Sequence, residues 1–284
     1  MFSRNLSRRS ILQAGFGAAA VCTAGLDVLA FMADAGKKIP VAVQLYSVRE
    51  ALAKDLPGTL EAIGKIGFKA VEFAGYYNRK AAELRKMLDD NGLKCCGTHT
   101  GLDTLLGDKL AGTVEFNKTI GNKFLIVPWL PEDKFATDEA CKKTAAQFDE
   151  LADKVKGEDM RIGYHAHGGD FKKTGDQTHW DTFFSNAGKN VIMQLDIGNC
   201  LDGGGDPYAI LKKFPGRCAS IHIKPHGGKK GAVLGEDEVR WTEIFQLCET
   251  VGGTEWYIVE YEEDPKQTDS IKRCFENLQK MGKC

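Results

Sequence analysis

The sequence predicts one α/β domain, a closed (β/α)8 TIM barrel spanning residues 36–284. Three observations point there. Eight short β-rich runs alternate with amphipathic stretches after Lys38, the pattern of parallel βαβ units. No linker or shift in composition divides them, which favours a closed barrel over an open sheet with a second domain. The chain beyond residue 35 also approaches the roughly 250 residues typical of one such barrel.

The expected strands are Val41–Leu45, Ala70–Phe73, Lys94–His99, Lys123–Pro128, Arg161–His165, Val191–Asp196, Cys218–Ile223 and Trp256–Glu260. Most are rich in Val, Ile and Phe and bounded by Gly, Pro, Asn or Asp. Helical spacing is clearest in four segments. Lys80–Asp90 sets Ala81, Leu84, Met87 and Leu88 on one face and stops at Asn91-Gly92. Asp138–Lys156 aligns Ala145, Phe148, Leu151, Ala152 and Val155, and Trp241–Val251 and Ser270–Met281 repeat the pattern.

Residues 1–35 read as an export signal. Ser7-Arg8-Arg9-Ser10 precedes a run of small and apolar residues, and Ala33-Asp34-Ala35 has the small-x-small form of a cleavage site. The paired arginines resemble the twin-arginine type. Gly15, Gly17, Gly25 and Asp27 interrupt the apolar run, leaving it short of the ~20 apolar residues of a spanning helix. The expectation is passage through the Tat export machinery to the periplasm or outside, with no stable membrane insertion after cleavage.

Lys and Arg number 38 against 39 Asp and Glu, a formal charge of −1. With no basic excess to meet a phosphate backbone, no nucleic-acid partner is expected. The nine cysteines are scattered with no CxxC pair, so buried thiols such as Cys96, Cys218 and Cys248 are expected rather than a disulfide framework. No GxGxxG follows the first strand, which argues against dinucleotide binding. Homo-oligomerisation is left open.

In such a barrel the chemistry sits at the C-terminal ends of the strands. The last four ends carry His165 with His167 and Asp170, then Asp196, His222 and Glu260. Mixed nitrogen and oxygen donors suit one divalent metal ion, Mn²⁺ first, with Mg²⁺, Co²⁺ and Zn²⁺ as alternatives. An ion of this kind polarises a carbonyl or hydroxyl and acidifies the neighbouring C–H, and a nearby imidazole or carboxylate takes the proton. Taken singly, each residue also fits a loop cap or a solvated surface; the acidic run Glu260–Asp264 is an example.

At these positions the chain resembles the xylose isomerase-like TIM barrels, the sugar phosphate isomerase/epimerase superfamily. The resemblance covers nearly all of residues 36–284. It runs through Gln44-Leu45-Tyr46-Ser47-Val48-Arg49, Val71-Glu72-Phe73-Ala74-Gly75, Tyr164-His165-Ala166-His167-Gly168-Gly169-Asp170-Phe171, Leu195-Asp196-Ile197-Gly198, His222-Ile223-Lys224 and Trp256–Glu260. It implies a metal held by Asp196, His222 and Glu260, with the first place left between Asp170, which aligns with the Glu of the motif, and His165. His165 holds the strand position where other branches place a Glu. The catalytic candidates are His167, His165 and Glu260, with His167 the leading acid/base. Glu72, His99, Trp129 and Lys224 are expected to line the substrate pocket.

The resemblance implies proton abstraction beside a carbonyl, with a metal-held enediolate. Export and the lack of a Gly-rich phosphate loop point to a neutral sugar or keto-sugar as the small-molecule partner. Isomerisation or epimerisation is the expected outcome. Elimination by a 3-keto-glycoside lyase is the close alternative, and a non-catalytic carbohydrate-binding protein a more distant one.

Overall fold

The computed structural model of the protein describes residues 38–263 and 267–284. The expected export signal therefore lies outside the described residues. Eight parallel strands form a closed barrel: β1 Val41–Gln44, β2 Ala70–Phe73, β3 Lys94–His99, β4 Phe124–Val127, β5 Arg161–His165, β6 Ile192–Asp196, β7 Ser220–His222 and β8 Trp256–Val259. Each pairs with its neighbour in sequence, and β8 closes on β1 through Val41 opposite Tyr257. All eight expected strands form, trimmed by a residue or more at several ends. The expected Trp241–Val251 helix stops at Leu247 and continues as a wider turn, Cys248–Gly252.

Alternation along the strands separates two kinds of core. Val43, Val71, Leu125, Tyr164, Leu195 and Val259 face outward against the helices in one large cluster. Inside the barrel, Ala42, Ala70, Cys96 and Ile258 form one small apolar group, and Phe124, Ile126, Ile192 and Ala219 another. These groups fill the floor and leave the upper interior to polar side chains.

Caps hold the helices in register with the barrel. Asp55 accepts from the Gly58 N–H at 3.0 Å at the start of Leu56–Ile66, and Gly67 ends that helix with φ +119°. A Cβ there would also stand 2.8 Å from the Phe275 ring, so conformation and packing both demand glycine. Thr137 caps Asp138–Lys156 through the Ala140 N–H at 3.1 Å. Seven described cysteines are buried, Cys284 is exposed, and none is paired. Among the described residues, no helix is long and apolar enough to cross a membrane.

One irregularity matters for the site. The β2–β3 register slips between Val71, opposite Cys95, and Glu72, opposite Gly97. This bulge turns both Cys96 and Gly97 inward. Thr98 then points outward to Asn117 at 3.0 Å, and His99 points into the barrel. Unbroken alternation from Cys95 would have sent His99 outward.

Candidate metal centre and active site

Two polar layers stand above the apolar floor. The lower is built around Glu72, which is wholly buried. Its carboxylate accepts from Gln44 Nε2 at 2.8 Å, Gln194 Nε2 at 2.7 Å and His222 Nε2 at 2.6 Å. Gln194 also donates to Ser220 Oγ at 2.9 Å, and its own oxygen lies 3.1 Å from His99 Nε2. Burial acts to raise the Glu72 pKa, but His99 and His222 outweigh it and hold the carboxyl well below its ordinary range. Gly97 makes room for this group, since a Cβ there would sit 2.4 Å from Glu72 Oε1.

The upper layer brings His165, Asp196, His222 and Glu260 together, each offering a ligand-type atom within 4.8 Å of the others. The sheet does this directly. Asp196 lies opposite His222 in the β6–β7 register, and His222 opposite Ile258 in β7–β8, two residues before Glu260. His222 Nδ1 stands 2.6 Å from Glu260 Oε2 and 3.7 Å from Asp196 Oδ2. Asp196 Oδ1 accepts from the Asn199 N–H at 2.7 Å, which leaves Oδ2 free.

A metal ion fits this group on the state of its donors. Asp196 Oδ2 and His165 Nδ1 are buried with no hydrogen-bond partner, an arrangement costly in any folded protein unless something binds there. Four donors on one ion at about 2.0–2.2 Å in a tetrahedron stand about 3.3–3.6 Å apart, so the widest pairs would close by about an ångström to bring all four onto it. Glu72 on Nε2 turns Nδ1 of His222 toward Asp196 and Glu260, the carboxylate–histidine support typical of metal ligands. Burial opposes a charge on His222, yet Glu72 and Glu260 raise its pKa well above the ordinary value. Without an ion the imidazole therefore carries the positive charge that the carboxylates require, and a metal would displace its proton.

The remaining expected residues fall in different places. Asp170, one of the two residues expected for the first place, stands apart from the four. It is buried, accepting from the Tyr164 hydroxyl at 3.0 Å and the His167 N–H at 2.7 Å, and it pins the turn Gly168–Phe171. The inward position it was to fill belongs to His165, because alternation sends Tyr164 out and His165 in. His167 packs edge-on against His165 with centroids 4.9 Å apart, and its Nδ1 is buried and unpartnered. Burial lowers the His167 pKa, against the pull of Asp196 and Glu260.

Glu72 does not line a pocket; it lies beneath His222. The His99 ring stacks parallel to His222 at 5.6 Å. Lys224 Nζ donates to Asn199 Oδ1 at 3.1 Å, Glu260 Oε1 at 3.4 Å and Glu262. Burial works against its charge, but Asp196, Glu260 and Glu262 hold the ammonium above its ordinary range. Trp129, after β4, is 64% exposed, and Tyr46 and Leu106, after β1 and β3, are exposed as well. Exposed apolar side chains thus follow β1, β3 and β4, while Lys224, Glu260 and Glu262 follow β7 and β8.

Sequence reasoning passed over Gln44, Gln194, Asn199 and Glu262. Gln44 and Gln194 carried a usable signal: each is a polar residue at an inward position of an otherwise apolar strand. Glu262 was concealed in the acidic run that also reads as a solvated face.

The profile of the xylose isomerase-like TIM barrel matches residues 60–281. The chain belongs to this family. Among relatives of this xylose isomerase-like barrel, an inosose dehydratase of Serratia proteamaculans is 27% identical over 243 residues, covering 70% of this chain and 80% of that one. A rhizopine catabolism protein, MocC, of Rhizobium meliloti is 25% identical over 263 residues, covering 78% and 80%. A crystal structure of a sugar phosphate isomerase/epimerase from Parabacteroides distasonis superposes with a TM-score of 0.74 at 25% identity, covering 85% of this chain and 98% of that one. These likenesses support a sugar-modifying enzyme.

Proposed function

We propose that this chain is an exported, divalent-metal-dependent lyase. It would remove a proton beside the carbonyl of a neutral keto-sugar or keto-glycoside and expel the β-substituent. The observation that carries this reading is an unlike pair of groups flanking the four donors. His167 is a half-buried imidazole whose Nδ1 is buried and unpartnered and whose pKa is lowered, suited to accept a proton at neutral pH. Lys224 is an ammonium held charged by carboxylates. Epimerisation needs one group to take a proton from one face of a carbon and a second to deliver a proton to the other face; elimination needs one base and support for the charge left on the substrate oxygens.

His165, Asp196, His222 and Glu260 would hold the ion, with Mn²⁺ the first to load. When bound it would polarise the substrate carbonyl and acidify the adjacent C–H. His167 takes that proton. Lys224, braced by Asn199 and Glu262, offsets negative charge gathering on the sugar oxygens beside Glu260. Glu72 and His99 keep the His222 ring oriented. Trp129 and Tyr46 offer aromatic faces to a ring at the mouth.

The inosose dehydratase likeness supports loss of a β-substituent. Isomerisation or epimerisation is the second reading, favoured by the 25% identity to the Parabacteroides isomerase/epimerase. Arg8-Arg9 and the apolar run after them support Tat export to the periplasm or beyond, and export supports an uncharged substrate.

Proton NMR in D₂O tests the choice, using the Mn²⁺-loaded protein, a 3-keto-glucoside and a chelator control. Release of the aglycone with a new vinyl proton, abolished by chelator, is expected. Deuterium entering beside the carbonyl with the aglycone retained would replace the lyase by the isomerase reading.

A further inference from the structure

Outward from Lys224, the loop after β7 meets the short helix Ile197–Asp202 a second time. His226 Nδ1 lies 2.8 Å from Asp202 Oδ1. The two contacts form successive rungs: Lys224 reaches Asn199, and His226, two residues on, reaches Asp202, three residues on. Residues three apart on a helix are neighbours about 5–6 Å apart, and the second rung stands nearer solvent, with His226 33% and Asp202 65% exposed against 16% for Lys224.

We propose that His226 is the proton donor to the departing oxygen. This rests on the elimination reading given above. Three features carry it. Asp202 on Nδ1 orients the ring, the arrangement in which a carboxylate serves a catalytic imidazole. Nε2 has no protein partner among the described residues, and the side chain is 33% exposed, so it is open to a ligand at the rim. The backbone on which it stands is fixed. The His226 N–H donates to Asp237 Oδ2 at 3.2 Å and its carbonyl accepts from Glu238 at 3.0 Å, while Asp237 is itself held by Trp241 Nε1 at 2.7 Å.

The step balances without oxidant or reductant. His167 removes the proton from the carbon beside the carbonyl. The electron pair of that C–H bond becomes the carbon–carbon double bond as the C–O bond to the leaving group breaks. The oxygen departs with the C–O pair and takes the proton from His226 Nε2. His167 ends protonated and His226 neutral, and solvent restores both. A donor outside the metal centre suits an aglycone, which must lie outward of the reacting ring. Lys224 is less suited, because its three acceptors already hold its protons.

His226→Asn tests this. The Asn amide reproduces the Nδ1 contact to Asp202, so the loop stays clamped while the outward nitrogen is lost. Two substrates are compared in the metal-loaded enzyme: a methyl and a 4-nitrophenyl 3-keto-glucoside. Only the methyl leaving group needs a proton. General acid catalysis contributes about 10²–10⁴-fold, so the ratio of nitrophenyl to methyl turnover should rise about 100-fold in the variant. Asp202→Asn should move the ratio the same way by less. Equal loss on both substrates, or no loss, would overturn the role while leaving the elimination reading intact. Failure of the wild-type enzyme to release either aglycone would overturn both.

Discussion

Replacing Glu72 with glutamine removes a charge that touches no expected substrate, yet it should weaken metal binding. Three donors, Gln44, Gln194 and His222, hydrogen-bond this buried carboxylate, and His99 Nε2 lies 3.3 Å from it. An amide offers one oxygen to them and turns an NH2 toward at least one. Leaving a buried donor unpaired costs about 1–3 kcal/mol, and the 2.6 Å contact to His222 is the charged one of the three. Once that contact is gone, nothing prevents the ring from taking the tautomer that protonates Nδ1, the atom facing Asp196 and Glu260. Loss of such a partner costs about 10–100-fold in metal affinity, or about 1.4–2.8 kcal/mol. The assay is competitive titration of Mn²⁺ or Zn²⁺ into the apo-protein, with circular dichroism to verify folding. Glu72→Gln binding metal as tightly as wild type, with the fold intact, would refute the role of Glu72 as the orienting partner and weaken the assignment of Nδ1 as a ligand atom.

His167→Ala should keep stoichiometric metal by elemental analysis and lose about 10²–10⁴-fold in turnover; undiminished turnover would remove it as the base. Asp170→Asn should retain metal while His165→Ala loses it, and the reverse result would return Asp170 to the ligand set. Asp170 also makes a pH prediction, because burial raises its pKa from 3.8 to about 7. Between those values the folded state holds a proton that the unfolded chain has released, so this contribution is fully present below about pH 4 and is lost as pH rises through 7. Asp170→Asn keeps a neutral group there and should gain up to about 4 kcal/mol over wild type on going from pH 4 to pH 8, read by urea unfolding. An offset between the two proteins that is the same at both pH values would contradict the raised pKa. Gly97→Ala should cost about 1–3 kcal/mol by overpacking against Glu72 and lower metal affinity with it; a thermal melt and metal titration matching wild type would show that Glu72 has room to move.

Much of the candidate site was legible in the chain because a barrel converts strand ends into one surface. Once Val191–Asp196, Cys218–Ile223 and Trp256–Glu260 read as successive strands, Asp196, His222 and Glu260 had to converge, wherever the helices between them lay. Of the two residues left open for the first place, the Asp170 alternative came out differently for a physical reason. It took the residue type from the motif after β5, whereas position relative to the pleat decides which side chain faces inward. His165 has that position; Asp170, in the turn beyond, instead satisfies the Tyr164 hydroxyl and a backbone N–H.

Composition, periodicity and residue order alone determined the single-domain parallel barrel and the carboxylate and imidazole residue types at its strand ends, because these depend on local pattern and strand count. The tertiary structure decided what depends on contact across strands distant in sequence. It placed Glu72 beneath His222 although 150 residues separate them. It used a bulge to turn His99 inward, and it paired His226, in the loop after β7, with Asp202 at the end of a short helix. A hydrogen bond between strands leaves no periodicity in either segment, and an extra residue in one strand changes the facing of every side chain after it without altering its composition.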